Sequence, residues 1–227
     1  MGFEYIKSNL DSLTSEIGSL GKAVGREITL VAVTKSGSDE ELIALAELGI
    51  ENIGENRPGE LRRRGDLLKS LGHSPALHEI GNLQRNKVKL IIESVDLIHS
   101  LDSYALALEI EKQAEKVGRI IPVLIEINSA REEQKGGILP EEAEDFLLKL
   151  KEFSHIKVSG LMTMGPVCED PEELRPYFRA TKELFDRLNR DHGFDGGILS
   201  MGMSDSYKVA IQEGSTLVRV GRKLFNK

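Results

Sequence analysis

Lys35 closes a run of apolar β-formers, "ITLVAVTKSGSDEEL" over residues 28–42, and Arg219 lies inside another, "TLVRVG" over 216–221. Both are charges where a chain ordinarily keeps none, so each raises the question of what chemistry would require it. Alternation places Lys35 on the same face as Thr29, Val31 and Val33, at the carboxyl end of a strand. Most strand-end lysines escape to solvent along their methylene stems. One rooted in a strand and pointing into a barrel mouth is placed instead to lose its proton and attack a carbonyl carbon. Arg219 shares a face with Leu217, opposite Val218 and Val220. It either pairs with a strand-end carboxylate such as Glu55 or Glu126, or donates to a heteroaromatic nitrogen of a ligand. In the second case it would keep that nitrogen unprotonated, because arginine does not give up its proton in practice.

A third feature is the string "SMGMSDS" (200–206), where Ser200, Gly202 and Ser204 offer hydroxyls and small-residue amides. Gly221 opens a terminal helix whose free N–H groups and dipole favour an anion. Taken alone, these are also what an ordinary serine cap and a tight turn look like.

The elements that must position these residues alternate strictly. After a leading helix over residues 3–24, strand patterns fall at 28–34, 50–54, 76–81, 95–100, 121–128, 157–164, 197–201 and 216–221. Helical patterns lie between them at 39–48, 57–71, 83–93, 102–117, 140–152, 171–192 and 204–213, with Ser38 or Asp39 able to cap the first. Strict βα alternation means parallel strands with right-handed crossovers. Eight such units predict a single (β/α)8 TIM barrel with an extra N-terminal helix. An open doubly wound sheet is the alternative, but no G-x-G-x-x-G follows the first strand. No linker or low-complexity stretch divides the chain, so residues 1–227 are expected to form one domain, with the helix at 1–25 and the barrel at 28–225.

In this fold active sites gather at the carboxyl ends of the strands, and the loops after strands 7 and 8 recurrently cradle phosphate. A strand-end lysine, a phosphate cradle and an arginine facing a ring nitrogen together specify pyridoxal 5′-phosphate (PLP). Its aldehyde would form a Schiff base with Lys35, its phosphate would sit at Ser200, Gly202 and Gly221, and Arg219 would meet the pyridine nitrogen. The competing lysines, Lys87 in "QRNK" and Lys135 in "EEQKGG", fall in polar settings with little reason to lose a proton.

Composition narrows the classes. A formal net charge of −7 argues against a nucleic-acid binder, which needs a basic footprint, and does nothing for an anionic membrane surface. The single cysteine, Cys168, cannot form an internal disulfide, no stretch reads as a signal peptide or membrane span, and a cytoplasmic location is the expectation. Cys168 stands beside Glu169 and Asp170, so it reads as an unactivated surface thiol. His73, His99, His155 and His192 have no ligand spacing, and no metal is expected. Met162, Met164, Met201 and Met203 serve equally as core filling or as cofactor contacts.

The segments "AVTK", "GEN", "HEIGNLQRNK", "GLMTM", "LSMGMSDS" and "AIQEGSTLVRVG" resemble the pyridoxal phosphate homeostasis protein family, whose members look like the barrel half of alanine racemase standing alone. The resemblance runs from about residue 28 to 225. It implies that Lys35 carries the Schiff base and that Ser200, Gly202 and Gly221 lie near the phosphate. It further implies that Arg219 faces the pyridine nitrogen and that Asn56, His78 and Met162 line the cofactor ring. It also implies a role in vitamin B6 and amino-acid homeostasis without robust catalysis. Apart from the resemblance, a monomer is the expectation, with PLP as its ligand and apo-enzymes as candidate transient recipients. The chain departs from the family at Arg57, where an aromatic residue is common, at Asn82, where proline is usual, and at Arg85, in place of a small residue.

Two rival functions remain. A PLP-dependent racemase or lyase would use the same lysine, but a two-base racemase needs an acid/base on each face of the α-carbon. The related barrel racemases bring theirs, a tyrosine, from a second domain, which is not expected after strand 8. None of Tyr5, Tyr104, Tyr177 and Tyr207 ends a strand. Weak racemase-like activity stays open. A cofactor-free Schiff-base aldolase would leave Arg219 unexplained.

Overall fold

Strands buried on both faces have no polar side to show, which is why those of this chain read as near-continuous apolar runs. A computed structural model describes residues 3–132, 134 and 136–227. Its strands are β1 (Thr29–Val33), β2 (Asn52–Glu55), β3 (Ala76–Glu79), β4 (Leu97–Leu101), β5 (Ile121–Glu126), β6 (Ile156–Met162), β7 (Ile198–Ser200) and β8 (Leu217–Val220). They close into a parallel barrel in sequence order, so the chain is a (β/α)8 barrel as expected. The outer helices are α2 (Asp39–Glu47), α3 (Pro58–Ser70), α4 (Val88–Ile91), α5 (Tyr104–Val117), α6 (Ala143–Leu150), α7 (Arg175–His192), α8 (Tyr207–Gln212) and α9 (Arg222–Phe225). No helix among the described residues is long and apolar enough to cross a membrane.

The leading helix α1 (Glu4–Ala23) has a structural task. α9, which follows β8, has only four residues. The outer face of β1 and β8 is covered instead by Ile6, Leu10, Leu13 and Ile17 of α1, which pack with Ala32, Val218, Val220 and Leu224. Thus α1 takes the place in the helical ring that a longer eighth helix would fill.

Two element boundaries differ from the sequence pattern. The helix expected over 83–93 is a 3-10 turn at Arg85–Lys87 followed by the single turn α4, because Gln84 stays extended while Leu83 is buried in the core. The helix expected from 204 starts at Tyr207, after a tight turn in which Met203 accepts from the amides of Ser206 and Tyr207. α2 begins as expected, with Ser38 and Glu41 forming a reciprocal capping box.

The barrel interior holds an apolar plug of Val31, Leu97, Leu124, Met162 and Leu217. Alternation along β8 puts Leu217 in the plug and Val218 and Val220 under α1, so Arg219 points inward as expected, level with Val31 of β1.

Candidate functional site

β1 ends at Val33, and Thr34 still bonds laterally, through its amide to the Gly54 carbonyl (3.1 Å) and through its hydroxyl to Glu55 (2.5 Å). Lys35 and Ser36 then stand exposed at the barrel mouth. Position in the strand order has thus set where the lysine stands, at the mouth as expected, with its side chain exposed. Between the loops that follow β1, β2, β6, β7 and β8 lies a cavity of about 510 Å³ whose wall includes Lys35, Asn56, Arg219 and Gly221. Small-ligand sites typically span about 300–1,000 Å³. A larger groove of about 710 Å³, beside Arg85, Asp102 and Glu109, has no lysine in its wall. Lys87 is exposed on the 3-10 turn before α4, and Lys135 lies outside the described residues.

Four of the eight residues singled out from sequence are therefore brought together at one cavity. The other four, His78, Met162, Ser200 and Gly202, do not line it. Met162 is 1% exposed inside the apolar plug, while Met164, two residues on and past the strand end, reaches the cavity instead. Met201 is likewise core, and Met203 lines the cavity. Gly202 has φ +89°, and a Cβ there would stand 2.6 Å from the Ala210 Cβ, so its task is to let the chain fold tightly onto α8.

His78 and Ser200 are drawn inward by each other's neighbours. Ser200 Oγ accepts from Arg219 Nη1 and lies 3.0 Å from His99 Nδ1. His99 Nε2 is 2.9 Å from His78 Nδ1, and His78 Nε2 is 3.2 Å from Asn52 Oδ1. The two ends of this chain are fixed chemically, since a guanidinium only donates and an amide oxygen only accepts. One proton order satisfies every link: Arg219 to Ser200, Ser200 to His99, His99 to His78, His78 to Asn52. Both imidazoles are then neutral with the proton on Nε2. Burial favours the same state, lowering the His78 pKa to about 4 and holding His99 well below the usual imidazole range, with nearby His78 and Arg219 adding to it. His99 carried no signal in sequence, since its partners come from β3 and β7.

Arg219 is 4% exposed, and its other hydrogen bonds go to the carbonyls of Ser200 (3.0 Å) and Thr163 (3.3 Å). Glu55 is engaged by Arg64 at 2.6 Å, and Glu126 acts on Arg219 through space. Burial lowers the arginine to about 10, which leaves it charged at neutral pH. Burial and nearby Asp102 push Glu126 up to about 7.

The wall after β7 and β8 consists of Met203, Ser204, Asp205, Ser206, Gly221 and Arg222. The Gly221 amide donates to Ser204 Oγ (3.3 Å). A Cβ on Gly221 would stand 2.8 Å from the Val33 carbonyl, so the ends of β8 and β1 approach as closely as only glycine allows. Sequence reasoning missed most of the wall that follows β6, the segment after Gly165 with Pro166, Val167 and Cys168. Its only signal was a Gly/Pro-rich stretch between strand and helix. Cys168 is half-buried there, and burial with nearby Glu173 and Asp170 pushes its thiol up, so it is not an activated nucleophile. His155 and His192 bond Glu111 and Glu144, and no group of metal-ligating side chains occurs among the described residues.

The model of the family described as "Alanine racemase, N-terminal domain" matches residues 8–226. The chain is 43% identical over 198 residues to the pyridoxal phosphate homeostasis protein of Aquifex aeolicus, covering 87% of this chain and 86% of that protein. It is 36% identical over 226 residues to that of Helicobacter pylori, covering 97% and 98%. The structure of PipY of Synechococcus elongatus PCC7942 with PLP bound superposes with a TM-score of 0.85 at 28% identity, covering 97% of this chain and all of that one. An alanine racemase of Clostridium difficile 630 shares the fold with a TM-score of 0.76 at 20% identity, and this chain spans 56% of it.

Proposed function

The chain belongs to the pyridoxal phosphate homeostasis protein family, and from that premise we propose that it binds pyridoxal 5′-phosphate on Lys35 and serves vitamin B6 homeostasis as a holder of the cofactor. The observation that carries this reading is the cavity itself, where Lys35, Arg219 and the Ser204–Gly221 contact stand at one wall. Bound PLP supplies an aldehyde that an amine can capture reversibly. The residues present fit such a group. Lys35 is the amine in the wall. The first amides of α9, which have no partners within the helix, and Ser204 suit a phosphate, as does Arg222 once the phosphate replaces Asp205, with which it is ion-paired in the same wall. Arg219, charged and without a carboxylate bonded to it, suits a ring nitrogen and keeps it unprotonated.

Asn56 completes the ring contacts of this reading, whereas His78, Met162 and Ser200 support the site from within the barrel. We take residues 28–225 as the unit that holds the cofactor, with the helix at 1–25 as part of it, in a cytoplasmic monomer that releases PLP to apo-enzymes. A racemase is the second reading. It is disfavoured because no tyrosine or histidine is among the described residues that line the cavity. Of the other acid–base groups in its wall, Asp205 is ion-paired with Arg222 and the Cys168 thiol is pushed up, which leaves Glu169 as the candidate counterpart to Lys35.

The test is spectral and covalent. Purified protein with PLP is expected to be yellow, and borohydride to bleach the colour while fixing the cofactor on Lys35 as a secondary amine. Lys35→Ala is expected to lose the yellow species and the adduct mapped to that position, leaving only the slow trapping at exposed lysines such as Lys87, while Lys87→Ala keeps the Lys35 adduct. An adduct of equal total yield and colour in Lys35→Ala would overturn the assignment. Conversion of L- to D-alanine at roughly 1–1,000 per second would establish the racemase reading instead.

A further inference from the structure

Arg62, Arg63 and Arg64 follow one another on α3, a run of charge that ordinarily marks a solvated face. Arg64 departs from this. It is 6% exposed, and its guanidinium faces the loop between β1 and α2. Nη1 donates to the Thr34 carbonyl and to Glu55 Oε1 (2.6 Å), and Nη2 donates to the Gly37 carbonyl (2.7 Å). Thr34 and Gly37 stand on either side of Lys35 and Ser36, so one planar group spans the base of the loop that carries the lysine. Arg63 secures the loop's far end, gripping both oxygens of Asp39 at 2.6 and 2.8 Å. The loop is closed by the Gly37 amide on the Thr34 carbonyl (2.9 Å), and Gly37 is pressed against Phe225, whose ring lies 2.6 Å from where a Cβ would be. Arg64, Thr34, Glu55 and Gly37 are all absent from the cavity wall, so whatever they do for a ligand passes through Lys35.

We propose that Arg64 is a positioning residue that fixes the backbone on both sides of Lys35 and so directs its amine into the cavity. The proposal rests on the reading of Lys35 as the amine that holds the cofactor. Its physical basis is entropic. Lysine is a long, freely rotating side chain on an exposed loop, and each backbone degree of freedom held still removes conformations in which the amine faces water. A guanidinium can reach both carbonyls and the carboxylate at once, whereas an ammonium cannot span them.

Two variants separate positioning from folding. Arg64→Lys keeps the charge beside Glu55 and loses the span. Arg64→Met combined with Glu55→Gln removes the buried pair together, leaving no buried charge unpartnered. Amide hydrogen exchange, measured on the protein without PLP, is expected to rise roughly tenfold over residues 34–38 in both variants, as the loss of one or two hydrogen bonds implies, with β4 to β6 unchanged. Cyanoborohydride trapping of PLP, mapped by mass spectrometry, is expected to slow several-fold at Lys35 while trapping at exposed Lys87 in the same sample is unaffected. Simple destabilisation would lower the melting temperature without moving that ratio. Exchange over 34–38 and a Lys35-to-Lys87 ratio both within twofold of wild type would overturn the proposal. Wild-type protein that does not trap PLP at Lys35 would overturn the reading of the site instead, and the exchange arm would still report whether Arg64 holds the loop.

Discussion

Two arginines are buried in this barrel, on opposite sides of its wall, and their surroundings differ in kind. Arg64, outside β1 and β2, meets a carboxylate at 2.6 Å and two carbonyls. Arg219, inside β8, meets two carbonyls and a hydroxyl, and the residue also lines the cavity. A buried charge with its counter-charge in place is neutralised locally and acts as a brace, even though the Arg64 Nε itself has no hydrogen-bond partner. One held only by neutral acceptors beside an opening retains unspent attraction for a ligand. The chain of neutral imidazoles behind Arg219 fits this division, because it orients the group through Ser200 without neutralising it.

The comparison breaks most visibly if the two arginines are removed one at a time. Arg64→Met leaves Glu55 buried without its partner and is expected to lose about 3–5 kcal/mol of stability. At about 2–4 °C per kcal/mol for a chain of this size, the melting temperature falls by roughly 6–20 °C, and adding Glu55→Gln restores most of it. A loss below about 1 kcal/mol would mean the pair does no bracing. Arg219→Met is expected to fall less, by about 1–3 kcal/mol for the carbonyls it leaves unpartnered, and to raise the Kd for PLP roughly tenfold or more. Unchanged affinity, read by the spectral titration of bound PLP, would remove Arg219 from the ligand site.

Acid titration sharpens the same contrast. The folded His78 pKa of about 4 lies below its ordinary 6.5, so between these values the unfolded chain binds the extra proton. Stability is therefore expected to fall as pH drops from about 6.5 to about 4, with His99 adding to the slope. Urea denaturation of a His78→Gln/His99→Gln double variant is expected to show a flatter dependence over that interval than wild type. An equal slope would place the proton on other groups.

A titration of opposite sign concerns Glu79, beside Glu55 in the β2–β3 register. One of its oxygens accepts from the Gly81 amide (3.0 Å), and the other is buried with no partner. Burial pushes this carboxyl up to about 8, from an ordinary 4.5. The folded chain then holds the proton between those values, so wild-type stability declines as pH rises from about 4.5 to about 8. Glu79→Gln is expected to raise the melting temperature at pH 9, where the carboxyl is ionised in both states, and to change it little at pH 4.5. A variant equally displaced at both pH values would show that the carboxyl is not neutral in the folded protein.

Local periodicity determined that the strands are parallel and which face each residue takes. The count of eight units favoured the barrel over an open sheet, and closure itself was decided by the tertiary structure. Apolar runs of strand length alternating with helical patterns leave little choice but parallel strands, and alternation along β8 turned Arg219 inward and Val218 and Val220 out. The same rule carried Lys35 to the mouth. Periodicity states a face and not a partner, however, and that is where His78 and Ser200 went astray. The links from His78 to His99 and from His99 to Ser200 join residues 21 and 101 positions apart. Whether two inward residues meet depends on their heights across a staggered, closed sheet. Arg64 was hidden for a related reason, since a helix sequence of three arginines does not say which one the packing against β1 and β2 will bury. A buried polar group takes the nearest acceptor that desolvation leaves available, and only the closed barrel determined which acceptor that was.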